Sequence, residues 1–172
     1  ASGSSHLKPP IPGVESKNVL TTDDALKIEK LPESFIVIGG GAVGIEFSTI
    51  FNDADVNTYL IEMMPHILPG EDEEITDYLK QLMQDDGIKI YVNARALKIE
   101  DEDESKVVYI STPEGNKTVK GEAILLATGR IPLIKNIGLE NIGVKTDGRK
   151  ILVNEKMETN VPGVYAVGDV IG

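Results

Sequence analysis

Ser34-Phe35-Ile36-Val37-Ile38-Gly39-Gly40-Gly41-Ala42-Val43-Gly44-Ile45-Glu46-Phe47 decides how this chain folds. Residues 34–39 read as a buried strand, apolar at four successive positions, that runs straight into a glycine cluster. A helix follows, with Val43, Phe47, Ile50 and Phe51 spaced as one apolar stripe expected to pack on a sheet. Gly39, Gly41 and Gly44 match the pattern GxGxxG. The first glycine permits the tight strand-to-helix turn, the second lets a pyrophosphate approach the backbone, and the third lets helix and strand pack closely. The N–H groups at a helix start, together with the helix dipole, favour an anion there.

Working outward, 56–61 is a second strand ending at Glu62, eighteen residues after Gly44. A carboxylate there accepts hydrogen bonds from both ribose hydroxyls of an adenosine, whereas it repels a 2′-phosphate, so NAD is favoured over NADP. Asp55 stands where glycine is expected before that strand, which puts the turn in question. Glu46 is assigned to the first helical turn, either as a solvated carboxylate stabilised by the dipole or as a group reaching the nicotinamide carboxamide. Beyond Pro65 and Pro69, the acidic run 71–74 opens a helix whose stripe is Ile75, Leu79, Leu82 and Met83, with Gly87 as its cap. A third strand covers 88–92. Runs at 96–100, 107–111 and 117–120, separated by spacers 101–104 and 113–116, read as an antiparallel meander. Residues 123–127 form another buried strand and 164–167 a last one.

Upstream, residues 1–20 carry Pro9, Pro10 and Pro12 and read as a connector without regular structure. Thr21 and Asp24 then supply a capping box for a short helix through Ile28. The fold class is α/β: a Rossmann-like parallel sheet with an antiparallel β-meander crossover. Domain bounds are drawn as a connector over 1–30, a nucleotide-binding domain over 31–153 and a return segment over 154–172. The chain starts at Ala1 and stops at Gly172 directly after a strand-like run, which reads as one internal stretch of a larger protein.

Composition narrows the function. The 172 residues carry a formal charge of −11, which argues against nucleic-acid binding. No apolar run is long enough to cross a bilayer, and the cytoplasm is the default compartment. Without cysteine there is no thiol chemistry within these residues. His6 and His66 read as surface or loop residues, no metal ligand set stands out, and no residue is assigned as catalytic. The acidic runs 71–74 and 101–104 read as helix-start electrostatics and a solvated hairpin tip.

Two further motifs, Ala127-Thr128-Gly129-Arg130 and 159–169 ending in Gly168-Asp169, follow the glycine loop in order. With Ala1-Ser2-Gly3-Ser4, Pro10-Ile11-Pro12-Gly13 and Ile61-Glu62-Met63-Met64-Pro65, they make the whole chain resemble the pyridine nucleotide-disulfide oxidoreductases, nearest to the dihydrolipoyl dehydrogenase branch. The resemblance implies the NAD-binding domain of a flavoprotein with two dinucleotide-binding domains, which passes electrons from a dithiol through FAD to NAD. It implies that Gly39, Gly40, Gly41, Ala42, Val43, Gly44, Ile45 and Glu62 bind NAD, with Glu46 and Gly129 near the nicotinamide and Ala96 by the adenine. It further implies that Ser2, Gly3 and Ser4 contact the flavin nucleotide and that Asp169 hydrogen-bonds the ribityl chain. The redox cysteines, the first FAD-binding loop and the dimerisation domain lie outside these residues, so the chain alone is not expected to be catalytically competent. The implied partners are those missing domains, a second subunit in a homodimer, and a lipoyl-bearing 2-oxo acid dehydrogenase complex. The other readings are a related NADH oxidase, a mercuric or glutathione reductase, FAD on the glycine loop itself, a methyltransferase, and a non-catalytic nucleotide-binding module.

Overall fold

In chain order the elements are β1 (Ser4–His6), β2 (Val19–Leu20), α1 (Thr22–Ala25), β3 (Ser34–Ile38), α2 (Ala42–Asp53), β4 (Asn57–Ile61), α3 (Glu73–Asp85), β5 (Lys89–Tyr91), β6 (Arg95–Glu102), β7 (Ser105–Thr112), β8 (Gly115–Gly121), β9 (Ala123–Leu126) and β10 (Arg130–Pro132). The computed structural model describes residues 1–172. Contacts divide it into two compact units, residues 8–128 and residues 1–7 with 129–172.

The larger unit is built on a five-stranded sheet in the order β2-β9-β3-β4-β5, parallel throughout. Its central strands are buried on both faces, which is why they read as unbroken apolar runs. Alternation along β3 sends Phe35 and Val37 to one core and Ile36 and Ile38 to the other. On the first face they meet Phe47 and Phe51 of α2 and Met83 of α3, and the Phe35 and Phe51 rings stack with centroids 3.9 Å apart. On the second face Ile36, Ile38, Ile61, Ile124 and Leu126 pack on Ile99, Val108, Ile110 and Val119 of the antiparallel sheet β6-β7-β8. Helices cover one side of the parallel sheet and the meander covers the other, which gives the α/β architecture expected.

Several local expectations need correction. The buried face of α2 is Gly44, Phe47, Ser48 and Phe51, while Val43 and Ile50 are exposed. Gly44 sets that phase, because the helix is drawn onto β3 at the residue with no side chain; Ser48 is tolerated beside it because its hydroxyl donates to the Gly44 carbonyl at 2.7 Å. In α3, Thr76 and Met83 are buried with Leu79 partly so, whereas Ile75 and Leu82 point to solvent. The stretch 1–20 is not free of regular structure: β2 forms the edge of the parallel sheet and β1 pairs with β10, each at positions clear of the prolines. The first helix closes at Ala25, short of Ile28, though the Thr21 and Asp24 capping box forms. Asp101 and Glu102 belong to the β6-β7 ladder, so only Asp103 and Glu104 make the turn. Residues 164–167 form no strand; they have only a local bridge from Tyr165 to Glu158 and run into a 3-10 helix over Gly168–Ile171, since no long neighbouring strand offers them a ladder.

Asp55 resolves the question of its turn. It adopts φ +61°, the left-handed conformation glycine would take, and the chain still turns from α2 into β4. Gly87, at φ +104°, ends α3 as expected.

The smaller unit holds the β1-β10 ribbon and a core of Ile134, Val144, Ile151, Ala166 and Val170.

Candidate nucleotide-binding site

The site in the larger unit begins where β3 ends. Gly39 sits at φ +111°, and a side chain on it would overlap the Ala127 carbonyl; on Gly44 a side chain would overlap the Gly39 carbonyl. These two glycines thus make the turn and the close helix packing assigned to them. A side chain on Gly41 would meet open space, so its bareness serves no packing need and leaves room beside the backbone. Gly41 is the N-cap of α2 and has no side chain to cap it. The N–H groups of the first helical turn, Ala42, Val43 and Gly44, therefore lack intrahelical acceptors and stand at the positive end of the dipole. Ile45 already bonds back to the Gly41 carbonyl at 3.0 Å.

Glu62 emerges from β4 beside this loop and is 6% exposed. One carboxylate oxygen accepts from the Gly40 N–H at 2.6 Å and the other from the Met64 N–H at 2.7 Å. A carboxylate has about four acceptor positions, so both oxygens keep capacity for a ligand hydroxyl. This tethering was not legible in the sequence. A side chain on Gly40 would come within 2.9 Å of the Glu62 Cβ, which explains why the middle of the loop is also glycine. The loop after Glu62 closes the arrangement, with Leu68 N–H donating to the Gly40 carbonyl at 2.7 Å and Ile67 buried beneath.

The other candidate residues of this unit, Glu46 and Ala96, stand on α2 and β6. Glu46 is exposed and is the fifth residue of α2, beyond the first turn, so the helix dipole does little for it. Ala96 lies half-buried in β6, opposite Ile110 and next to a register shift. His66 stands between loop and helix, its Nδ1 3.3 Å from Asp77 and its Nε2 3.7 Å from Glu73. The Lys80 ammonium and then His66 hold the Asp77 carboxyl below the usual aspartate range.

In the smaller unit, Ser2 donates to the Leu133 carbonyl at 2.5 Å, and the Gly3 carbonyl accepts from the Leu133 N–H at 2.9 Å. Ser4 donates to the Asp169 carboxylate. Gly129 is exposed, at φ +114°. Arg130, which sequence reasoning left as part of a motif without a task, reaches both Ser4 and Asp169. The signal that could have found it is the antiparallel pairing of 4–6 with 130–132, invisible before the fold. No group of three or more His, Asp or Glu side chains stands together as a metal site, and no helix is long and apolar enough to cross a membrane.

A family model described as pyridine nucleotide-disulphide oxidoreductase matches residues 1–172. A dihydrolipoyl dehydrogenase of Acholeplasma laidlawii is 40% identical over 176 residues, covering 100% of this chain and 51% of the relative. One from Bacillus subtilis is 39% identical, covering 94% of this chain and 35% of the relative. Among solved structures, the HOCl-induced flavoprotein disulfide reductase RclA from Escherichia coli superimposes with a TM-score of 0.88 at 27% identity, over 99% of this chain and 39% of that one. LpdA from Mycobacterium tuberculosis does so with a TM-score of 0.87 at 27% identity, over 99% and 37%. The chain thus spans between about a third and a half of the curated relatives it matches.

Proposed function

The chain belongs to the pyridine nucleotide-disulphide oxidoreductase family, and on that premise we propose that its larger unit is the NAD-binding domain of a flavoenzyme similar to dihydrolipoyl dehydrogenase. Family members use FAD and NAD(H). The observation that carries the proposal is the uncapped N-terminus of α2 on an open Gly41, set beside a Glu62 carboxylate that two backbone N–H groups hold in place. The residues fit the cofactor. The N–H groups of Ala42, Val43 and Gly44 would hold the pyrophosphate, and Glu62 would accept from the adenosine ribose hydroxyls. Because both its oxygens are tethered, Glu62 cannot swing aside to admit a 2′-phosphate, and its charge repels one. Glu46 lies farther along α2 and is assigned to the nicotinamide end, while Ala96 is assigned to the adenine.

In the smaller unit, Ser2, Gly3, Ser4 and Asp169 are assigned to FAD. Bound NAD supplies a hydride acceptor, and bound FAD the relay that brings electrons from a dithiol. The chain has no cysteine, so the thiol pair belongs to residues beyond these 172. The partners of this reading are the remaining domains of the parent, a second subunit, and a lipoyl-bearing complex as source of the dithiol.

Titration of the protein with NADH and NADPH tests it. NADH should bind at least about tenfold more tightly, the equivalent of one charged hydrogen bond, and Glu62→Gln should shrink that ratio. Tighter binding of NADPH by the unaltered protein would overturn the assignment of Glu62.

A further inference from the structure

β1 and β10 form an antiparallel ribbon in which His6 pairs with Arg130 and Ser4 with Pro132. Side chains two apart on a strand share a face, so Ser4 and His6 stand on one side of β1, and Arg130, opposite His6, has Ser4 as its diagonal neighbour. Its guanidinium uses that position fully. Nε donates to the Ser4 hydroxyl at 2.5 Å, Nη2 to the Ser4 carbonyl at 3.0 Å, and Nη1 lies 3.4 Å from His6 Nδ1. The Ser4 hydroxyl, accepting from Arg130, spends its own hydrogen on Asp169 Oδ2, and the guanidinium Nε lies 3.7 Å from that same oxygen. One hydroxyl has one hydrogen to give, so the chain of bonds has a single direction: guanidinium to serine to carboxylate. Asp169 itself follows Gly168, which turns left-handed at φ +76° into the closing 3-10 helix. It is more than half exposed and depends on these partners for its orientation.

We propose that Arg130 is a positioning residue for flavin binding: acting through Ser4, it holds Asp169 Oδ2 so that Oδ1 remains to accept a hydroxyl of the ribityl chain. This rests on the assignment of Asp169 to FAD made above. Arginine suits the role because three of its nitrogens face Ser4 and His6 of β1 at once in a planar fork, which a lysine ammonium cannot reproduce.

The test measures FAD dissociation constants by reconstitution of the full-length apoprotein containing these residues, with NADH binding at the Gly39–Gly44 loop as the check that each variant is folded. Asp169→Asn should weaken FAD by about ten- to a hundredfold, the range for losing a charged hydrogen bond. Arg130→Met should approach that loss, Arg130→Lys should recover part of it, and Ser4→Ala should fall between. The decisive variant is the double change Arg130→Met with Asp169→Asn, which should be no weaker than Asp169→Asn alone, since both act on one contact. Additive losses in the double variant, or unaltered FAD affinity in a folded Arg130→Met protein, would overturn the role of Arg130 while leaving Asp169 in place. Unaltered FAD affinity in Asp169→Asn would remove the underlying assignment, and the proposal with it.

Discussion

At the scale of single residues, the glycines of the loop separate into two kinds. Gly44 is required by the fold, since a Cβ there overlaps a backbone oxygen that cannot move without shifting β3. Gly41 is required by nothing in the protein itself. Gly44→Ala should therefore cost about 1–3 kcal/mol of stability, the range for overpacking. Gly41→Ala should change stability by less than about 1 kcal/mol yet weaken NADH by about tenfold or more, as the loss of roughly 1.4 kcal/mol of phosphate contact. Urea denaturation and NADH titration of both variants measure the contrast; equal effects on stability would contradict it. Asp55 gives the opposite case. It occupies a left-handed position where its Cβ is strained, so Asp55→Gly should raise stability by about 1 kcal/mol in the same denaturation experiment. The pattern of glycines was legible in the sequence, but which of them packing requires and which it leaves open was not, because that depends on what lies opposite each Cα.

At the scale of elements, periodicity identifies both long helices but misplaces their buried faces. The stripes drawn through Val43 and Ile50, and through Ile75 and Leu82, placed exposed residues in the core. An apolar residue on a helix shows only that burial is favourable, and each helix here carries more apolar residues than one contact face can take. The phase of α2 was available all along in Gly44, since a glycine kept for close packing must itself lie on the buried face, which carries Phe47, Ser48 and Phe51 with it. For α3 no such marker exists. Met83→Ala should cost about 2–5 kcal/mol, as large-to-small changes in cores do, while Leu82→Gln should stay within about 0.5 kcal/mol. Chemical denaturation of the pair reports which side of α3 meets the sheet, and a larger loss for Leu82→Gln would reverse the assignment.

At the scale of the whole molecule, the two units differ in how much they bury. The unit of residues 8–128 has apolar cores on both faces of its parallel sheet, whereas the other has one small cluster around Ile151 and Val170. Local opening follows such differences in buried contacts. In native-state hydrogen exchange the Ile151 amide, bonded to the Val170 carbonyl, should exchange well before the Ala127 amide, bonded to the Ile38 carbonyl. Equal protection of the two would show one cooperative structure.

What the sequence determined by itself was whatever rests on neighbours along the chain. The strand, glycine and helix order, the acid at the end of β4, the capping box at Thr21 and the meander all depend on backbone propensity and short spacings, and each is present. The tertiary structure alone decided what depends on partners far along the chain. Glu62 is bound to Gly40 across 22 residues, and Arg130 reaches Ser4 across 126, so both contacts join residues that no local pattern pairs. Residues 164–167 were apolar enough for a strand and did not become one, because a strand needs a neighbour to satisfy its backbone, and only the fold supplies neighbours.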